Sequence, residues 1–222
     1  ATGPNLVGFS DKALFRSRHD ARAYEQLACY GHCCVKPVSA PVPISGHSGI
    51  LLLTNLAHPM NPGYCINGLR DELAILDATA AAAKMLGPVA QPVLWKPHPV
   101  LAQLPLETQQ ELRAAAQEKG LTMLPPETDI VKLARQNRWV VCSPSTVALD
   151  LLQEGSLPLV LDPQATVLDT ALKHLPYADV DPEALSATMA ALDPATAAEK
   201  LLIAHAAIGP AHPFAKLKQK NL

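Results

Sequence analysis

The sequence predicts an α/β fold, a doubly wound Rossmann-like parallel sheet preceded by a short amino-terminal extension. Three observations carry this expectation. From residue 50 onward, short apolar runs alternate with segments of helical period. Each run is nearly continuous in apolar residues, as in strands covered on both faces. Two of the runs break off into polar, proline-containing segments, Lys96-Pro97-His98-Pro99 and, some 45 residues later, Ser143-Pro144-Ser145-Thr146. In an open parallel sheet the carboxyl ends of the strands are where ligands bind.

Taken in order, residues 1–49 read as an extension or the remnant of a preceding domain. They hold one apolar stretch, Asn5 to Phe9, then a charged segment from Asp11 to Glu25 that reads as one helix. A cysteine cluster follows, and Pro37 to Gly49 has the Pro/Ser/Gly composition of a connector. The Rossmann-like domain spans 50–208. Ile50 to Leu56 is its first strand, Ala57 to Gly68 a loop, and Leu69 to Leu86 a helix with an alanine-rich centre. Val93 to Lys96 is the second strand. Pro105 to Lys119 is helical and closed by Gly120, and Leu121 to Leu124 is a short strand. Thr128-Asp129 caps a helix reaching Gln136. Trp139 to Cys142 is the fourth strand, Thr146 to Gln153 its helix, Gly155 the stop, and Leu157 to Asp162 the fifth strand. Helices at Thr166–Lys173, Pro182–Leu192 and Pro194–Ala207 complete the domain, and 209–222 is a tail.

Composition narrows the function classes. The 222 residues are 49% hydrophobic and 17% charged with a formal net charge of −2, which gives no electrostatic footprint for DNA or RNA. No continuous apolar run reaches about 18 residues, so no transmembrane segment is expected, and no secretory signal is visible. The chain begins at Ala1, read as a processed or truncated start. Five cysteines, unevenly placed, do not form the framework of a secreted domain, so the expected location is cytoplasmic, at most peripheral to the inner membrane. Cys29, His32, Cys33 and Cys34 lie within six residues, but adjacent cysteines diverge in an extended chain and do not wrap an ion as two spaced pairs do. No metal and no cofactor are expected, and the thiols read as buried or idle.

The residues able to carry chemistry sit at the two strand ends. His98 is held between two prolines, each of which restricts the backbone. It is either a turn histidine that caps local backbone or a donor to a phosphate oxygen. Lys96 is a second phosphate contact or, the preferred reading, an ordinary strand-end lysine. Ser143, Ser145 and Thr146 either cap the following helix or open it so that its first N–H groups cradle phosphate. Asp150, one turn along, reaches a ribose hydroxyl or is solvated. In the strand order 3-2-1-4-5 these ends and the loop at Thr54-Asn55 converge at the switch point.

At these residues the chain resembles the donor-binding half of GT-B glycosyltransferases. Lys-Pro-His-Pro followed by Ser-Pro-Ser-Thr-Val-Ala-Leu-Asp is similar to the motifs of bacterial sialyltransferases, capsule-polysaccharide transferases and CDP-glycerol glycerophosphotransferases. The likeness covers residues 50–175. It implies a catalytic role for His98 at the donor phosphate and departing nucleotide. Phosphate binding is implied for Ser145 and Thr146, with Ser143 assisting, and ribose binding for Asp150. Thr54, Asn55, Lys96 and Pro99 complete the donor-binding set. The implied activity is transfer from a CMP- or CDP-linked donor to a glycan or polyol acceptor in surface-polysaccharide biosynthesis. The D/E-D/E-G motif of the acceptor domain is absent, so the expected partner is a missing amino-terminal domain or a second copy of the chain. Two other functions stay open. One is a non-catalytic nucleotide- or glycan-binding module; the other is a UDP-sugar 2-epimerase-like protein, which needs acidic residues around the cleft that the sequence does not locate.

Overall fold

The computed structural model describes residues 12–15, 32–35, 47–55, 68–163 and 174–208. Its main sheet has six strands: β3 (Ser48–Leu53), β4 (Val93–Lys96), β5 (Thr122–Met123), β6 (Asn137–Cys142), β7 (Pro158–Leu161) and β8 (Tyr177–Ala178). Their order is β5-β4-β3-β6-β7-β8, parallel throughout. This is the doubly wound order, with the reversal beside β3.

The helices are α1 (Leu69–Leu86), α2 (Leu106–Glu118), α3 (Ile130–Ala134), α4 (Thr146–Gln153), α5 (Pro182–Ala191) and α6 (Pro194–Ile208). Successive strand residues face opposite sides of a sheet. Ile50 and Leu52 of β3 accordingly join Trp95, Val141 and Leu161 in a core roofed by α1, α2 and α5. Leu51 and Leu53 join Val140, Cys142 and Val160 beneath α3, α4 and α6. Each fully buried Leu or Ile contributes on the order of 1.5–3 kcal/mol. By length and composition, Leu69–Ala90 would suffice to cross a membrane. Here Ile75, Leu76, Ala78, Ala82 and Ala83 of this segment pack on the sheet instead.

Helices α1 and α4 and strand β4 have the bounds read from sequence. Asp129 caps α3 by accepting from the Lys132 N–H at 3.0 Å. Other expectations need correction. The segment read as one helix from Asp11 contains a strand, β1 (Lys12–Phe15), paired in parallel with β2 (His32–Val35). Pairing with a distant strand outweighs local helix propensity there. The two strands form a separate sheet. A sixth main-sheet strand, β8, was not anticipated, because two residues leave no periodicity to read. The predicted helix at Thr166–Lys173, the loop with His58-Pro59, Cys29 and the tail lie outside the described residues.

Gly49 shows how tightly β3 is seated. Its φ is +86°, and an added Cβ would lie 2.9 Å from both Asn137 Oδ1 and the Pro92 carbonyl oxygen. Gly120 has a φ of +76° with nothing within 4 Å of that position. Gly49→Ala should therefore cost about 3 kcal/mol in urea unfolding, from left-handed strain plus overpacking. Gly120→Ala should cost about 1 kcal/mol, from strain alone. Equal losses would show that the approach at Gly49 relaxes freely.

Candidate functional site

The carboxyl ends of β4, β3 and β6 are stitched together by backbone. Thr54 N–H donates to Lys96 O at 3.3 Å, and Ser143 N–H donates to Leu53 O at 2.9 Å. The Asn55 amide donates to Pro144 O at 3.4 Å. With strands spaced about 4.8 Å apart, the ends of β4 and β6 stand roughly 10 Å from each other, with Thr54-Asn55 between them. The sequence-predicted residues thus occupy one end of one sheet, on three adjacent strands.

His98 occupies the cap position of a 3-10 turn, Pro99–Gln103, with extended φ and ψ of −61° and 142°. Its Nδ1 accepts the Val100 N–H at 3.1 Å. A neutral imidazole that accepts at Nδ1 carries its proton on Nε2. The histidine therefore caps local backbone and also keeps an N–H for a ligand. Partial desolvation, then the neighbouring Lys96 ammonium, hold its pKa below the usual imidazole value. The ring is neutral at pH 7 although His98 as a whole is exposed. Pro99 is exposed beside it and starts the turn.

Lys96 is half-buried, and desolvation lowers its pKa against the opposing influence of Glu127. Thr54 is only 5% exposed. Its Oγ1 accepts the Trp95 indole N–H at 2.9 Å, a buried bond between neighbouring strands. Ser143 is fully buried, beneath the surface of the crevice. Ser145 stands at the cap position of α4 with φ −161° and ψ 165°, but its hydroxyl makes no capping bond. The capping reading of this serine is therefore not realised, and its half-buried hydroxyl remains at the mouth of the first helical turn. Thr146 opens α4, and Asp150, one turn along, is half-buried. Cys142, which precedes the motif, is a packing residue. Burial raises its thiol pKa to about 12.

Sequence reasoning missed two participants. Trp95 was read only as strand core, yet it pins Thr54. Glu72 lies in the first turn of α1, where acidic residues are common. It is 0% exposed, and neither carboxyl oxygen has a hydrogen-bond partner at normal distance among the described residues. Desolvation raises its pKa to about 7, opposed by the nearby Thr54 hydroxyl and assisted by the Asp71 charge. The Thr54 hydroxyl lies near enough to influence the carboxyl, but its contact falls short of a well-formed bond. A helix-start glutamate gives no sequence signal for this burial, because the covering side chains come from distant segments. Among the described residues no three His, Cys, Asp or Glu side chains converge as metal ligands would.

No protein-family model matches the chain, and no curated protein matches it. Solved structures do. S. aureus MnaA with UDP aligns at a TM-score of 0.52 and 12% identity, covering 96% of this chain and 60% of that one. A UDP-forming trehalose-phosphate synthase from Burkholderia xenovorans aligns at 0.50 and 11%, covering 89% and 57%. Sucrose-phosphate synthase from Thermosynechococcus elongatus aligns at 0.50 and 15%, covering 96% and 57%. The chain thus spans less than two thirds of each of these solved chains. At such identities the likeness establishes the fold, a Rossmann-like half of the GT-B kind.

The buried Glu72 makes stability depend on pH. Its folded pKa of about 7 exceeds the unfolded value of 4.5, so the folded state holds the extra proton between them. Stability from this group is full below pH 4.5 and declines as pH rises towards 7. The loss is about 3 kcal/mol by pH 8. Glu72→Gln should remove that slope and make the protein more stable than wild type at pH 8 in urea unfolding. Parallel pH profiles for the two proteins would show that Glu72 ionises freely.

Proposed function

We propose that this chain is the donor-binding unit of a nucleotide-sugar-dependent glycosyltransferase. The observation that supports this most is the alignment of His98, Thr54-Asn55 and Ser145-Thr146 at three adjacent strand ends beside the switch point. The Nε2–H of neutral His98 donates to an oxygen of the donor phosphate. The first N–H groups of α4, with the hydroxyls of Ser145 and Thr146, receive another. The Lys96 ammonium adds positive charge beside them, and Asp150 takes the ribose. Fixed donors aimed at a charge that grows in the transition state are more effective than water, since they need no reorganisation.

In the reaction a hydroxyl of a glycan or polyol acceptor attacks the anomeric carbon from the face opposite the nucleotide. The bond from carbon to phosphate oxygen breaks, and its electron pair leaves with the nucleotide, whose new charge His98 and α4 stabilise. The hydroxyl proton goes to a base on an acceptor-binding unit outside residues 50–208. The motifs favour a CMP- or CDP-linked donor and a role in surface-polysaccharide synthesis in the cytoplasm. The structural neighbours bring uridine nucleotides into the comparison, since MnaA was solved with UDP and the trehalose-phosphate synthase is UDP-forming.

Calorimetric titration with CMP, CDP, UDP and GDP tests the reading, and the rank order assigns the base. His98→Ala should weaken binding about ten-fold, the effect of losing a hydrogen bond to a charged group. His98→Asn should weaken it equally while keeping stability, because asparagine can still accept the Val100 N–H. Binding of no nucleotide would end the proposal. Binding that neither substitution alters would remove His98 from it.

A further inference from the structure

A second polar cleft lies at the opposite end of the sheet, where β3, β6 and β7 begin. His47, Arg135, Asn137, Arg138, Ser156 and Leu157 line it. The distance from this end of β6 to the crevice is about 17 Å, five residues of strand. Three buried polar atoms without hydrogen-bond partners, His47 Nδ1, Arg138 Nε and Ser156 Oγ, belong to residues lining this one cleft. Each bare buried group costs about 1–3 kcal/mol, so three in one place, with no partner among the described residues, mark a candidate ligand site.

Folding places these groups firmly. Gly155, with a φ of +83°, turns the chain off the end of α4. Ser156 follows at 5% exposure, its N–H committed to Leu151 O at 2.9 Å. Asn137 is tied down by its amide donating to Leu133 O at 2.8 Å. Arg135 pairs with Glu154 at 3.3 Å on the exposed rim. Arg138 stacks its guanidinium 4.8 Å from the Trp139 ring centre and has no carboxylate partner among the described residues. Among the described residues, two guanidinium charges against one carboxylate leave one positive charge in excess, and none of those lining the cleft is acidic.

We propose that this cleft binds a small oxyanion of phosphate size. Including its mouth, the cleft is about 260 Å³. Its interior has room for about one water or one oxyanion oxygen. One oxygen enters there and accepts from the Ser156 hydroxyl. The remaining oxygens face Arg138, whose planar fork of N–H donors suits an oxyanion better than a single water does. The ligand chemistry is that of free phosphate or of a phosphate monoester.

The test is thermal unfolding of the full chain in phosphate against chloride at matched ionic strength, with glucose 6-phosphate as the monoester arm. Phosphate should raise the midpoint in wild type and equally in His98→Asn, whose crevice is impaired. In Arg138→Met the apparent dissociation constant should rise about ten-fold or more. Ser156→Ala should show a smaller rise, with a midpoint in chloride at or above that of wild type, since its buried hydroxyl has no partner to lose among the described residues. That variant also serves as the test if Arg138→Met does not fold. A monoester effect equal to that of phosphate would extend the ligand to phosphorylated metabolites; an effect of phosphate alone would limit it to the free anion. No phosphate effect in wild type, meaning an ordered water only, would overturn the proposal. So would an effect retained in both Arg138→Met and Ser156→Ala, or one lost in His98→Asn.

Discussion

Strand β3 is the constraint on which the rest of the structure depends. It is paired on both sides, by β4 and by β6, and Ile50, Leu51 and Leu52 are wholly buried between the two helical layers. A strand held in this way cannot slip by one residue without exchanging its two apolar faces. Its register therefore fixes where the neighbouring strands stop. Lys96 lies opposite Leu53 on one side and Cys142 lies opposite it on the other. The loops that leave β4 and β6 consequently start level with each other, and the Thr54-Asn55 segment runs between them. The Trp95–Thr54 bond locks the same point from the side-chain direction.

Polarity is arranged along that strand axis. The carboxyl end carries a neutral imidazole, a half-desolvated ammonium, a helix amino terminus and a buried carboxyl that shares its proton with solvent near neutral pH. The amino end carries two arginines and three buried polar atoms without partners among the described residues. The apolar layers between them keep the two polar ends apart. The anions proposed for the two ends would therefore not compete.

Much of the fold was legible in the sequence because its signals are local. The end of helix α4 could be read from Gly155, and α1 from the loop closing at Gly68 and its helical apolar spacing, since such signals act within a turn or two. The apolar runs showed β3, β4, β6 and β7. What failed had no local signal. Strand β8 is two residues long, and β1 depends on β2. The placement of His98 and Ser145 near one another could be argued from strand order. The burial of Glu72 and Ser143 could not, since side chains distant in sequence cover them. Nor could the cleft at Arg138 and Ser156, where residues unremarkable along the chain meet only after the strands align.

The central claim is that two loops far apart along the chain serve one ligand. Amide-resolved NMR with a nucleoside diphosphate added stepwise to the labelled chain tests it most directly. The account predicts that signals of Thr54 and Asn55, His98 and Val100, and Ser145 to Ala148 shift together along a single binding curve. Shifts confined to one loop, or separate curves for the two loops, would contradict it.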